Sequence, residues 1–167
     1  MSRAALPLIL GLLLAACGRG VPDTAPSASP SAMTSETASP QRRTVPVTIQ
    51  SGGKRHTFRA EVAETAAQQA QGLMFRTDLQ PDDAMLFAPY PAGGGAPQVA
   101  DFWMKNTPLS LDILFIRADH SIAAIAPSAT PLSEAKVSSG EPVAAVLELV
   151  GGRAAALGIS VGDRVSW

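Results

Sequence analysis

Short apolar runs of strand length recur along the chain after residue 44. The first two, at 45–50 and 56–63, flank the turn-forming sequence SGGK, and the second run alternates apolar and polar residues from Phe58 to Val62. Because successive side chains of a strand point to opposite faces, this alternation predicts an opening β-hairpin. Further apolar runs predict strands at 85–90, 99–104, 111–117, 121–127, 144–150 and 164–167.

The run LDILFI at 111–116 is apolar on both faces after Asp112, and 144–150 has the same character. A strand with two apolar faces is covered on both sides, as in a closed barrel or a sandwich. Closure also removes exposed strand edges. The pattern therefore predicts a mainly β (α+β) fold, a small closed or barrel-like sheet of about eight short strands with two short helices.

The two predicted helices have recognisable ends. Thr65 and Gln68 have the spacing of a capping box at the start of a helix over 65–73, which Gly72 ends or bends. The second helix, RAAAL, lies between Gly151-Gly152 and Gly158. Ser138-Ser139-Gly140 is interpreted as a turn between strands.

The N-terminal part has a different composition. Residues 1–16 combine Arg3 with a short apolar run, which is typical of an export signal. The run ends in Leu14-Ala15-Ala16-Cys17, which resembles the lipobox of bacterial lipoproteins, where the cysteine is lipidated and becomes the new N-terminus. We therefore predict a lipoprotein signal peptide and lipidation at Cys17, with a plain secretory signal as the alternative.

Residues 17–44 are rich in Pro, Ser, Ala and Thr and have few large apolar side chains, so we predict a disordered tether. A single domain is predicted at 45–167. Together these segments predict an exported cell-envelope lipoprotein, periplasmic where the host has two membranes. It would be held by a lipid anchor on the extracytoplasmic side of the membrane, not by a spanning segment.

The charge and the metal-binding residue types exclude several function classes. The predicted domain has nine Lys/Arg and twelve Asp/Glu residues, and no basic stripe that would predict nucleic-acid binding. Cys17 is the only cysteine, so no intramolecular disulfide is possible. Because the two histidines, His56 and His120, lie far apart in the chain, we predict no metal site and no cofactor.

Polar residues inside or beside apolar runs are candidates for a site, because burial of a charge is costly unless the charge is paired. Strand alternation also places Trp103 and Lys105 on one face, where an indole beside a cation could stack a flat or sugar-like group and hold an anion. The alternative for Arg76 is a structural ion pair with Asp112 or Glu148, and for Asn106 a turn. The polar set is Arg76, Asp101, Lys105, Asn106, Asp112 and Glu148.

Six segments follow one another along the predicted domain: GLMFR (72–76), MLF (85–87), FWMKNT (102–107), LDILFI (111–116), VLEL (146–149) and GISVGDRV (158–165). In this order they resemble the family called domain of unknown function 192. The resemblance covers essentially all of the predicted domain, and FWMKNT is its most specific part. It implies a small, mostly β domain, often exported or lipid-anchored in bacteria, with no established activity.

Three functions are compatible with these residues. The first is a non-catalytic accessory module that binds an unknown small molecule or an envelope protein through Arg76, Trp103, Lys105, Asn106, Asp112 and Glu148. The second is an envelope enzyme that uses Asp112 or Glu148 as acid or base. The third is a purely structural envelope protein in which FWMKNT only closes the barrel.

Overall fold

The computed structural model describes residues 42–167, and the predicted signal peptide, Cys17 and most of the predicted tether lie outside the described residues. Residues 42–167 form nine strands and two short helices, which confirms the predicted mainly β class. The strands are β1 Thr44–Ser51, β2 Lys54–Ala63, β3 Asp83–Phe87, β4 Gln98–Phe102, β5 Leu111–Ile116, β6 Ile122–Ala129, β7 Val137–Val143, β8 Ala145–Val150 and β9 Arg164–Ser166; the helices are α1 Ala66–Gln71 and α2 Arg153–Leu157.

Seven strands form one curled half-barrel sheet in the order β6-β5-β8-β3-β2-β1-β9. All neighbours are antiparallel except β2 and β3, which are parallel. The two edge strands meet at one end, where the N–H of Val165 donates to the carbonyl of His120 at 2.9 Å and Ser121 bridges Arg164. The predicted barrel-like closure is therefore present at that end of the sheet.

The sheet buries an apolar core on each face. The first core joins residues of both edge strands, such as Ile122 and Val165, so it fills the concave face, where Ala154 of α2 also packs. The second core lies on the opposite face, where the two-stranded sheet β4–β7 covers β3, β5 and β8. All six residues of β5 are buried, as the doubly apolar pattern of LDILFI predicted.

Strand β7 corrects one prediction. Ser138-Ser139-Gly140 was interpreted as a turn, but these residues lie inside β7. Gly140 adopts a left-handed φ of 72°, and the Ser139 hydroxyl accepts the N–H of Ala100 at 2.9 Å and donates to the carbonyl of Glu141 at 2.7 Å. The Ser139 hydroxyl thus supplies two hydrogen bonds at a place where β7 is irregular.

Helix α1 begins with the predicted capping box. The Thr65 hydroxyl accepts the N–H of Gln68 at 3.2 Å, and the Gln68 side chain accepts the N–H of Thr65 at 3.0 Å. These bonds satisfy backbone donors that have no partner within the helix. The helix is short, so the cap fixes where its remaining residues lie.

We expect Thr65→Ala to lower the free energy of unfolding by about 1 kcal/mol, because it removes the capping hydroxyl. The measurement is urea unfolding of the full-length chain. Thr77→Ala is the matched control, since Thr77 is exposed and such surface changes alter stability by less than about 0.5 kcal/mol. Equal unfolding midpoints for the two variants would contradict the capping role.

Candidate functional site

A pocket of about 520 Å³ opens on the face of the sheet that carries the second core. Its walls come from α1 and the residues after it, from the segment that follows β3, and from the end of β4. Apolar and aromatic side chains predominate, which is usual for a small-molecule site. The lining residues are Ala66, Gln69, Ala70, Gln71, Gly72, Leu73, Met74, Phe87, Tyr90, Pro91, Ala92, Asp101, Phe102, Trp103, Thr107 and Glu148.

Glu148 of β8 is the most unusual of these residues. Its side chain points out of the middle of the sheet, where its cross-strand neighbours are Met85 of β3 and Ile113 of β5. The residue is only 4% exposed, and its Oε2 atom has no hydrogen-bond partner within residues 42–167. Burial without a counter-charge disfavours the ionised form and raises the pKa of Glu148 to about 8. In most protein molecules this carboxyl is therefore protonated and neutral at pH 7.

Aromatic rings form one side of the pocket. Phe102 packs edge-on against Phe87 with centroids 5.0 Å apart and tilts against Tyr90 at 5.8 Å. Burial, and then the charge of Asp101, raise the pKa of Tyr90. Trp103 follows β4 directly and is 44% exposed, so part of its ring faces solvent at the pocket edge.

The structure places the FWMKNT residues only partly at this pocket. Lys105 Nζ lies 5.2 Å from the centroid of the Trp103 ring and 3.4 Å from Glu134 Oε1, so the predicted indole–cation pair is present. Asn106 is exposed and turns the chain with a left-handed φ of 54°, while its carbonyl accepts the N–H of Phe75 at 2.8 Å. Of Trp103, Lys105 and Asn106, only Trp103 lines the pocket.

Arg76 lies outside this pocket, and its predicted pairing with Asp112 or Glu148 is wrong. Its guanidinium instead donates to Glu61 Oε1 at 2.8 Å and to Asp78 Oδ1 at 2.7 Å. These two carboxylates raise the pKa of Arg76 further above its usual value. Glu61 of β2 and Glu148 of β8 lie on the same face of the sheet, with Met85 of β3 between them. Arg76 pairs with Glu61, and this separation keeps it from the predicted partner Glu148.

Asp112 is also absent from the pocket lining. Its carboxylate is fully buried and accepts three backbone N–H groups, from Ser128 at 2.7 Å, Gly152 at 2.9 Å and Ala154 at 2.8 Å. The last two begin α2, so Asp112 joins β5 to the start of that helix and to β6. With both oxygens engaged in this way, Asp112 does not meet the requirement of an acid or base that faces a cleft.

Tyr90 and Gln69 are pocket residues that were not among the candidate site residues. They gave no sequence signal, since neither interrupts an apolar run. Gln69 fixes the wall of the pocket by donating from Nε2 to the carbonyls of Ala63 and Pro89 at 3.0 and 2.8 Å. Asp101 did belong to the polar set, and its carboxylate lies 3.7 Å from Lys136 Nζ at the surface.

Residues 42–167 contain no group of three or more His, Cys, Asp and Glu side chains placed to hold a metal ion. In the same range no helix is long and apolar enough to cross a bilayer. The described pocket lining includes one buried carboxyl, one surface carboxylate, one phenol and several aromatic faces.

The chain matches known proteins over this whole domain. The model of domain of unknown function 192, described as "Uncharacterized ACR", matches residues 47–167. A structure from Novosphingobium aromaticivorans DSM 12444, of unknown function, is 42% identical with a TM-score of 0.71 and covers 84% of this chain and 94% of its own. A structure from Sinorhizobium meliloti 1021, provisionally described as a transcription regulator, is 41% identical with a TM-score of 0.70 and covers 75% and 95%. No curated protein matches.

Proposed function

Because the chain belongs to the family of domain of unknown function 192, whose description assigns no activity, we propose a function from its own pocket: a non-catalytic ligand-binding module. The observation that carries the proposal is the buried Glu148 carboxyl, with Oε2 unpartnered beside an aromatic wall. An unpartnered buried polar atom costs about 1–3 kcal/mol. A ligand that hydrogen-bonds to it would recover this cost, which favours occupancy of the pocket.

The remaining polar groups suit recognition better than covalent chemistry. The Thr107 hydroxyl donates to the carbonyl of Lys105 at 3.2 Å, and Gln69 Nε2 is held by two backbone carbonyls. A binding module needs a few fixed polar groups within an apolar cavity. Thr107 and Gln69 are fixed in this way, and the buried Glu148 carboxyl lines the same cavity.

We further propose that the module works in the cell envelope, anchored through a lipidated Cys17, and takes a small molecule or an envelope protein as partner. The lipobox-like sequence supports the anchor. Arg42 enters the domain at the pocket rim, where its guanidinium donates to the carbonyl of Gly72 at 3.3 Å and to Gln71 Oε1 at 3.2 Å. The domain at 45–167 has more Asp and Glu than Lys and Arg residues, a balance that does not favour DNA binding.

We expect Trp103→Ala to weaken ligand binding by roughly tenfold, because it removes one aromatic wall of the pocket. The measurement is a thermal-shift screen of the full-length chain against sugars, peptides, amines and carboxylic acids. Each active compound is then titrated against the variant. Trp167→Ala is the matched control, since Trp167 is about equally exposed (43%) but stacks on His120.

A compound that stabilises the wild-type protein and Trp167→Ala, but not Trp103→Ala, supports the pocket as the binding site. If no compound raises the melting temperature, or if Trp103→Ala responds like the control, the proposal fails. Tryptophan fluorescence in Trp167→Phe gives an independent readout, because Trp103 is then the only tryptophan in the chain.

A second candidate is an envelope enzyme with Glu148 as general acid or base. The observation that favours it is a carboxyl in a pocket with a pKa of about 8, close to the pH at which proton transfer is needed. Incubation of each active compound with the protein, followed by NMR of the mixture, separates the two functions. An unchanged compound supports binding alone, and turnover that is lost in Glu148→Gln supports the enzyme.

A further inference from the structure

The ionisable Asp, Glu, Lys, Arg and His residues that line the pocket are all acidic. Within the described part of the chain they are Asp101, which is paired at the surface, and Glu148, which is buried. The basic side chains nearest the rim are already paired: Lys136 with Asp101 at 3.7 Å, Lys105 with Glu134 at 3.4 Å and Arg42 with Glu61 at 3.5 Å. An anionic ligand would thus enter a cavity with no cation of its own to meet it.

Glu148 provides the second observation. The residue is 4% exposed, lines the cavity and has no partner for Oε2 among residues 42–167. Around it, β3 and β5 present Met85 and Ile113, and the titratable lining groups are Tyr90 and Asp101. No side chain of the cavity offers it a positive charge. A hydrogen-bond donor on a ligand, especially a positively charged donor, would give Glu148 Oε2 the partner that it lacks.

The aromatic wall favours the same kind of ligand. The faces of Trp and Tyr rings attract cations through the ring quadrupole. Trp103 already attracts one, because Lys105 Nζ lies 5.2 Å from its centroid. Phe87, Phe102 and Tyr90 extend the aromatic surface into the cavity.

We propose that the pocket binds an organic cation, an amine carried on an aromatic or similarly bulky apolar group, with its ammonium directed at Glu148. This inference rests on the proposed binding function and specifies the ligand class of the same site. The ammonium supplies the counter-charge that the buried carboxyl lacks, and the apolar group fills the aromatic part of the cavity.

Binding is then coupled to a proton. Glu148 in the free protein is mostly protonated at pH 7, since its pKa is raised to about 8. A bound ammonium favours the carboxylate, so the carboxyl proton leaves to the buffer while the ligand keeps its own. The expected release approaches one proton per ligand bound at pH 7.

The test uses three probes of similar size and different charge: benzylamine, benzyl alcohol and benzoate. Isothermal titration calorimetry of the full-length chain at pH 7, in two buffers of different ionisation enthalpy, gives both affinity and proton release. We expect benzylamine to bind roughly tenfold more tightly than benzyl alcohol, and benzoate to bind most weakly. Only benzylamine should release a proton.

Glu148→Gln keeps the size of the side chain but removes its charge. It should abolish the proton release and reduce the preference for the amine over the alcohol to within roughly threefold. Glu134→Gln is the control, because Glu134 pairs with Lys105 outside the pocket, and it should retain the full preference.

The outcomes separate this inference from the function on which it rests. Benzyl alcohol or benzoate binding as tightly as benzylamine would overturn the cation preference and leave the binding module standing. A preference for the amine that survives in Glu148→Gln would overturn the role of that carboxyl. If none of the three probes binds at millimolar concentration, both the cation preference and the proposed pocket are overturned.

Discussion

Asp112→Ala should lower the free energy of unfolding by about 3–5 kcal/mol, because each unsatisfied donor costs about 1–3 kcal/mol; this is a large part of the stability of a domain of this size. The carboxylate is fully buried and accepts three backbone N–H groups, from Ser128, Gly152 and Ala154. Alanine would leave these donors without their acceptor, and the hydrogen bond from Ala154 is buried. Urea unfolding monitored by circular dichroism measures the change.

Asp82→Asn is the control for this prediction. Asp82 is exposed and pairs with Arg153 at 2.6 Å, and surface ion pairs contribute about 0–1 kcal/mol. A loss of less than about 1 kcal/mol in Asp112→Ala would contradict the structural role. Where enough of the Asp112→Ala protein remains folded, its pocket should bind as the wild type does, because Asp112 is not a lining residue.

The elements whose signals are local were predictable from the sequence. The Thr65–Gln68 capping box acts within four residues, and the doubly apolar pattern of LDILFI depends only on alternation along one strand. Strand β7 was missed for a local reason too. Gly140 and Pro142 are typical of turns, and here pairing with β4 and the bonds of Ser139 hold the segment extended.

The partners of the polar residues were not predictable, because they depend on strand order. Sequence alone marked Asp112 and Glu148 as costly charges in apolar strands. Asp112 is satisfied by amides 16 to 42 residues away, whereas the neighbours of Glu148 are Met85 and Ile113 from two other strands. The same sequence signal, an acidic residue in an apolar strand, therefore corresponds to a structural role for Asp112 and to a place in the pocket for Glu148.

We expect the stability of the wild-type protein to depend on pH between about pH 4.5 and pH 8, and Glu148→Gln to remove most of that dependence. Burial raises the pKa of Glu148 from 4.5 in an exposed setting to about 8 in the folded state. Within that window the folded protein keeps the proton and the unfolded chain releases it. Stability is therefore fully present below pH 4.5 and falls as pH rises, by about 1.4 kcal/mol per pH unit.

Across the whole window the loss amounts to about 5 kcal/mol, which makes this the larger of the two effects. Urea unfolding at pH 5, 6, 7 and 8 should show wild-type stability declining relative to Glu148→Gln, with Glu134→Gln, an exposed control, following the wild type. Parallel curves for wild type and Glu148→Gln would show that Glu148 is not a buried neutral acid. If the decline is present, a bound ammonium should stabilise the wild type most at pH 8, where the unpaired carboxylate costs most.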